Sequence, residues 1–77
     1  MVITIEYCET CNYRPIAASL ALAIKDKCDI ETRLVSSGGQ VFEVRLDDIL
    51  LFSKKQSNRF PEHSEIIGMI RNLLNSC

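Results

Sequence analysis

The hydrophobic pattern changes period once near the start of this chain, and the change falls on a pair of cysteines. Val2-Ile3-Thr4-Ile5-Glu6-Tyr7 is β-branched and aromatic with loose alternation, which predicts a strand. Pro15 to Lys25 is rich in alanine and leucine, with Ile16, Leu20, Ala23 and Ile24 at helical spacing. Pro15 suits a first helical turn, and Asn12 or Thr10 is the expected N-cap. Cys8-Glu9-Thr10-Cys11 lies between strand and helix. A strand that feeds a helix returns to a parallel neighbour through a right-handed crossover, so a β-α-β unit is the minimum fold.

The rest of the chain extends that unit. Ile30 to Val35 alternates, with Ile30, Thr32 and Leu34 on one face and Glu31 and Arg33 on the other. Ser36-Ser37-Gly38-Gly39 breaks the pattern, and Phe42, Val44 and Leu46 then alternate against Glu43 and Arg45. Asp47-Asp48 predicts a tight turn into Ile49-Leu50-Leu51-Phe52, hence a hairpin. Lys54 to Arg59 reads as a polar loop. Phe60-Pro61-Glu62 opens a last helix with an apolar stripe of Ile66, Ile67, Ile70, Leu73 and Leu74.

The expected order is therefore β-α-β-β-β-α. Thr4, Glu6, Glu31, Arg33, Glu43 and Arg45 collect on one sheet face, too much charge for a face covered by a helix. Both helices must pack on the other face, against Ile3, Ile5, Ile30, Leu34, Phe42 and Val44. The fold class is α/β in content, an α+β two-layer sandwich with a four-stranded mixed sheet. A thioredoxin-like fold without its middle helix has this form. Seventy-seven residues support one core, so residues 1–77 are expected to form a single domain.

Charge narrows the function classes. Nine basic and ten acidic residues give a net charge of −1, which argues against binding a nucleic-acid backbone. No apolar run approaches the roughly 20 residues that span a bilayer, and no basic amphipathic stretch suggests a membrane surface. Met1 to Glu6 lacks the basic start of a signal peptide, and Asn75-Ser76-Cys77 lacks a prenylation motif. These features predict a cytoplasmic protein. In a reducing compartment, the four cysteines favour redox chemistry or metal over structural bridges.

Cys8 and Cys11 are the candidate catalytic pair. Their spacing allows a disulfide with little backbone movement, and a helix N-terminus stabilises thiolate over thiol. Arg14 is a candidate cation for the same purpose, and Glu9 opposes it, so a fairly reducing couple is expected. A structural zinc needs four ligands. The remaining candidates, Cys28, His63 and Cys77, show no second pair at ligand spacing. Cys28 reads as a half-buried small residue with a lesser resolving role in view, Cys77 as incidental at a frayed terminus, and His63 as a surface residue. Lys54, Lys55 and Arg59 read as a solvated loop that could hold a carboxylate, such as one of glutathione, if it lies near the cysteines. Tyr7 and Tyr13 flank the pair and are expected to pack around it. Gly38 and Gly39 reach the same end of the sheet if the third strand lies beside the first. There they would form either a flexible turn or a place where another backbone approaches the sulfurs.

Several short motifs carry a resemblance. Ile5 to Tyr13, Gly38-Gly39 with Phe42-Glu43-Val44, Leu51-Phe52-Ser53-Lys54, and Arg59-Phe60-Pro61-Glu62 are similar, in order, to the selenoprotein W-like (Rdx) family. That family includes selenoproteins W, T and H and cysteine-containing bacterial relatives. The resemblance implies a thioredoxin-like fold, an oxidoreductase role at C-x-x-C or C-x-x-selenocysteine, and a frequent link to glutathione. Selenium in such relatives occupies the position of Cys11, which implies Cys11 as attacking group and Cys8 as resolving partner. Thioredoxin usage and the helix geometry favour Cys8 instead, so both assignments stand. The cis-proline of thioredoxins is absent, since prolines occur only at 15 and 61. Asp48 and Asn58 stand where relatives often carry glycine.

Three functions follow from this reading. The first is a thiol–disulfide redox protein acting on protein thiols or glutathione, with no bound cofactor. The second is a redox-gated interaction module, and the third a metal carrier. The residues leave the oligomeric state open.

Overall fold

The computed structural model describes residues 1–74, and Cys77 lies outside them. The elements are β1 (Val2–Cys8), α1 (Arg14–Cys28), β2 (Glu31–Ser37), β3 (Phe42–Leu46), β4 (Ile49–Ser53), α2 (Lys54–Ser57) and α3 (His63–Leu74). The sheet order is β2-β1-β3-β4. β1 runs parallel to β2, as a helical crossover requires, and antiparallel to β3, which pairs antiparallel with β4.

One face of this sheet is the core. Ile3, Ile5, Phe42 and Val44 are fully buried and meet Ala17, Leu20 and Ile24 of α1 with Ile66 and Ile70 of α3. Each such side chain contributes about 1.5–3 kcal/mol by leaving water. Ile30 and Leu34, expected in the same core, are only half-buried. They lie on and beside β2, an edge strand with no outer neighbour to cover them. The helical stripe of α1 centres on Ala17 rather than on the larger Ile16, which packs at its flank.

The opposite face carries the charge. Glu6 and Glu43 face each other across β1 and β3, and this like-charge pair is relieved by Arg45, 3.6 Å from Glu6 and 3.0 Å from Glu43. The Asp47-Asp48 loop has two residues, as Leu46 pairs with Ile49. Its positive φ (53°) falls on Asp47 and not on Asp48, the pattern of a type II′ turn. The Asp47 side chain accepts a bond from the Val2 N–H at 3.1 Å, tying the turn to the start of β1.

Two boundaries differ from expectation. The segment after β4 is not a loop throughout, because Lys54–Ser57 forms one helical turn that Asn58 ends at φ 57°. Asparagine tolerates this left-handed state better than most residues. The last helix begins at His63, since Glu62 caps it: its carbonyl accepts the Ile66 N–H, and its own N–H donates to the Glu65 carboxylate.

Glu65 also takes both Arg59 nitrogens, at 2.9 and 2.8 Å, while the Arg59 guanidinium lies 5.2 Å over the Phe52 ring. The hydrogen bond from Arg59 holds the Glu65 carboxyl below its ordinary value. A carboxylate lowered in the folded state stabilises it above the unfolded pKa, and that share is lost as pH falls through the folded value. Glu65→Gln should therefore melt slightly below the wild type at neutral pH, with the gap closing in acid. A gap independent of pH in thermal melts would remove this account of the pair.

Candidate redox site

The end of β1 is fixed by backbone bonds on both sides. The Cys8 N–H donates to the Val41 carbonyl at 2.8 Å, and the Glu9 N–H to that of Ser37 at 3.1 Å. The chain then folds back: the Asn12 N–H reaches the Glu9 carbonyl (3.1 Å) and the Tyr13 N–H that of Cys8 (3.3 Å). This reversal places Asn12 at φ 63°. Asn12 is thus not the N-cap. Tyr13 occupies that position, and no side chain caps the helix. Asn12 serves the left-handed corner that closes the turn. Asn12→Gly should leave stability nearly unchanged, whereas Asn12→Val should cost about 1–2 kcal/mol in a urea titration.

Within this turn, Cys8 and Cys11 form a disulfide with their Cα atoms 5.4 Å apart. The two sulfurs differ in setting. Cys8 is fully buried, while Cys11 is partly exposed at the surface. The Thr10 hydroxyl lies 3.4 Å from the Cys8 sulfur. Glu9 accepts a bond from the Ser36 hydroxyl at 2.8 Å and stands 4.0 Å from Arg14. The first turn of α1 contains no acidic residue.

The other candidate residues are distributed unequally. Tyr7 points into the core opposite Phe42 and is 4 % exposed, so its ring is out of reach of a partner. Tyr13 is half-buried, edge-on to Phe60 at 4.9 Å, and Arg14 is exposed. Gly38 and Gly39 form the exposed β2–β3 loop beside Cys8, through Ser37 and Val41. Gly39 and Gln40 both take positive φ, 66° and 60°, so the loop turns through two left-handed residues. A side chain at Gly38 would meet nothing within 4 Å, and nothing in the structure requires glycine there.

Cys28 ends α1, so the helix rise puts it about 20 Å from the turn. The His63 ring touches the Ser19 hydroxyl at 3.5 Å. Among the described residues no three His, Cys, Asp or Glu side chains gather as metal ligands would. Lys54 is a contact the sequence alone did not reveal. Its ammonium lies 5.7 Å over the Tyr13 ring and 5.5 Å over that of Phe60. Phe60 in turn packs edge-on to buried Phe42 at 5.4 Å, which joins the core to the turn. No helix among the described residues is long and apolar enough to cross a membrane.

The pattern that defines the Rdx family matches residues 2–72. The chain belongs to the Rdx family. Migration and invasion enhancer 1 from Bos taurus is 36% identical over 76 residues, covering 95% of this chain. The mouse protein of the same name is 33% identical over the same length. This Rdx chain spans 64% of the length of both. A selenoprotein W-related protein from Vibrio cholerae superposes with a TM-score of 0.90 at 27% identity, covering 94% of each chain. A Bordetella parapertussis protein does so with 0.87 at 27%, covering 92% of this chain and 94% of its own. The fold is thioredoxin-like α/β, and the family suggests a redox-type role, for which this Rdx protein has a disulfide at the strand–helix turn.

Proposed function

We propose that this protein carries out thiol–disulfide exchange through Cys8 and Cys11, and that Cys11 is the sulfur that meets the partner. The observation behind this reading is the unequal exposure of the two sulfurs. Exchange requires in-line approach to a sulfur, and only Cys11 offers one without opening the fold.

In the reduced protein, the Cys11 thiolate attacks a partner disulfide. A Cys11–partner bond forms as the partner's own bond breaks, and one partner thiolate leaves. Cys8 then gives up its proton and attacks Cys11, which forms the internal disulfide and releases the second partner thiolate. Two electrons have passed to the partner, which takes up two protons to become two thiols. Thr10, 3.4 Å from Cys8, has a hydroxyl to donate to the resolving thiolate. Glutathione, running the reverse sequence in two steps, is the reductant we assign.

Single-cysteine variants test the order. Cys8→Ser should hold a mixed disulfide on Cys11 that survives non-reducing electrophoresis, and Cys11→Ser should hold none on Cys8. A stable adduct on Cys8 alone would reverse the assignment. A Cys8→Ser, Cys11→Ser double variant that still retains the same partners would favour an interaction module.

A further inference from the structure

Four basic side chains belong to the segments around the turn, and the structure separates them by use. Arg59 is taken by Glu65 and by the face of Phe52. Arg14 shares Glu9, itself bonded to Ser36. Lys55 is exposed, with no ring contact among the described residues. Lys54 alone is both half-buried and, among the described residues, without a carboxylate partner, and it is held over Tyr13 and Phe60. Both distances lie within the reach of a cation–π contact. No more than about 7 Å of chain separates the Cα atoms of Tyr13 and Cys11. Glu6, Glu43 and Ser53 align across β1, β3 and β4, so Lys54, directly after β4, lies at the end of the sheet that carries the Cys8–Cys11 turn, and the first turn of α1 there carries no acid.

We propose that Lys54 makes this site selective for disulfides that carry a carboxylate near the sulfur. The inference rests on the thiol–disulfide reading above and adds the chemistry of the partner. Lys54 contributes the cation that is left unneutralised, and Tyr13 and Phe60 keep it from folding away into solvent. The recognised group is a carboxylate on a small thiol such as glutathione, or a Glu or Asp beside a protein cysteine.

Reduced protein is mixed with glutathione disulfide, which bears carboxylates, or with hydroxyethyl disulfide, which bears none, and loss of the Cys8 and Cys11 thiols is timed. The ratio of the two rate constants should fall about three- to fivefold in Lys54→Gln, the range of a surface ion pair. It should be kept in Lys54→Arg and should shrink in wild type as salt is raised. With cystamine, a cationic disulfide, Lys54→Gln should react relatively faster, which a merely structural lesion would not produce. Peptide disulfides with Glu or Gln beside the cysteine form a parallel arm. A response to Glu there, without one to glutathione disulfide, places the carboxylate on proteins; the converse places it on the small thiol. Equal ratios in wild type and Lys54→Gln, with both disulfides still oxidising the pair, would overturn the role of Lys54. Failure of every disulfide to oxidise the pair would instead remove the redox reading itself.

Discussion

In the reduced, folded protein, an alkylating reagent should modify Cys11 well ahead of Cys8. The Cys8 side chain is fully buried, and two backbone bonds pin this point of the chain, from Cys8 to Val41 and from Glu9 to Ser37. Exposing Cys8 requires these bonds to open, at about 0.5–1.5 kcal/mol each. The sum of about 1–3 kcal/mol corresponds to a rate difference of about five- to 150-fold. Peptide mapping after timed alkylation reads the two sites separately, and the difference should vanish in denaturant. Equal rates in the native protein would mean that the end of β1 opens freely, and the order of attack would lose its basis.

The largest loss of stability is expected at Phe42. Its ring is fully buried, sits opposite Tyr7 in the β1–β3 register, and packs edge-on to Phe60, which continues to Tyr13. Phe42→Ala removes the ring and leaves a cavity, at a cost of about 3–5 kcal/mol. A chain of this size has only about 4–12 kcal/mol in total. The variant should thus lose about a quarter or more of its stability in urea titrations. Phe42→Leu, which retains most of the volume, should cost far less. Because Phe60 bridges Phe42 to Tyr13, Phe42→Ala should also loosen the surface on which Lys54 rests. A loss below about 1 kcal/mol would show that the core repacks around the missing ring.

The sheet and its helical layer were legible in the sequence because alternation and charge both report burial. Thr4, Glu6, Arg33, Glu43 and Arg45 marked the open face, and Arg45 pairs there with Glu6 and Glu43. Local corners were less legible. Asn12 matches an N-cap and a left-handed corner equally well by residue type, and only the bonds that Asn12 and Tyr13 donate back to Glu9 and Cys8 decide between them. Tyr7 looked like part of the site because it adjoins Cys8 in sequence. Strand alternation turns it into the core, and a regular alternation through Ile3 and Ile5 already carried that signal. At Cys8 the alternation ends, and burial continues for one residue more. The ring contacts of Lys54 were hidden for a different reason. Its partners Tyr13 and Phe60 are far apart in the chain, and no local pattern links a lysine after one strand to a ring before the first helix.

Thiol–disulfide exchange requires Cys8 and Cys11 to form a reversible couple. Equilibrating the protein across a series of reduced-to-oxidised glutathione ratios, then trapping and counting thiols, reads that reversibility out. A single two-electron transition is expected, in which both thiols disappear together, at a potential inside the range that the glutathione ratios cover and with full recovery on reversal. A pair that stays oxidised or stays reduced over the whole series would contradict it.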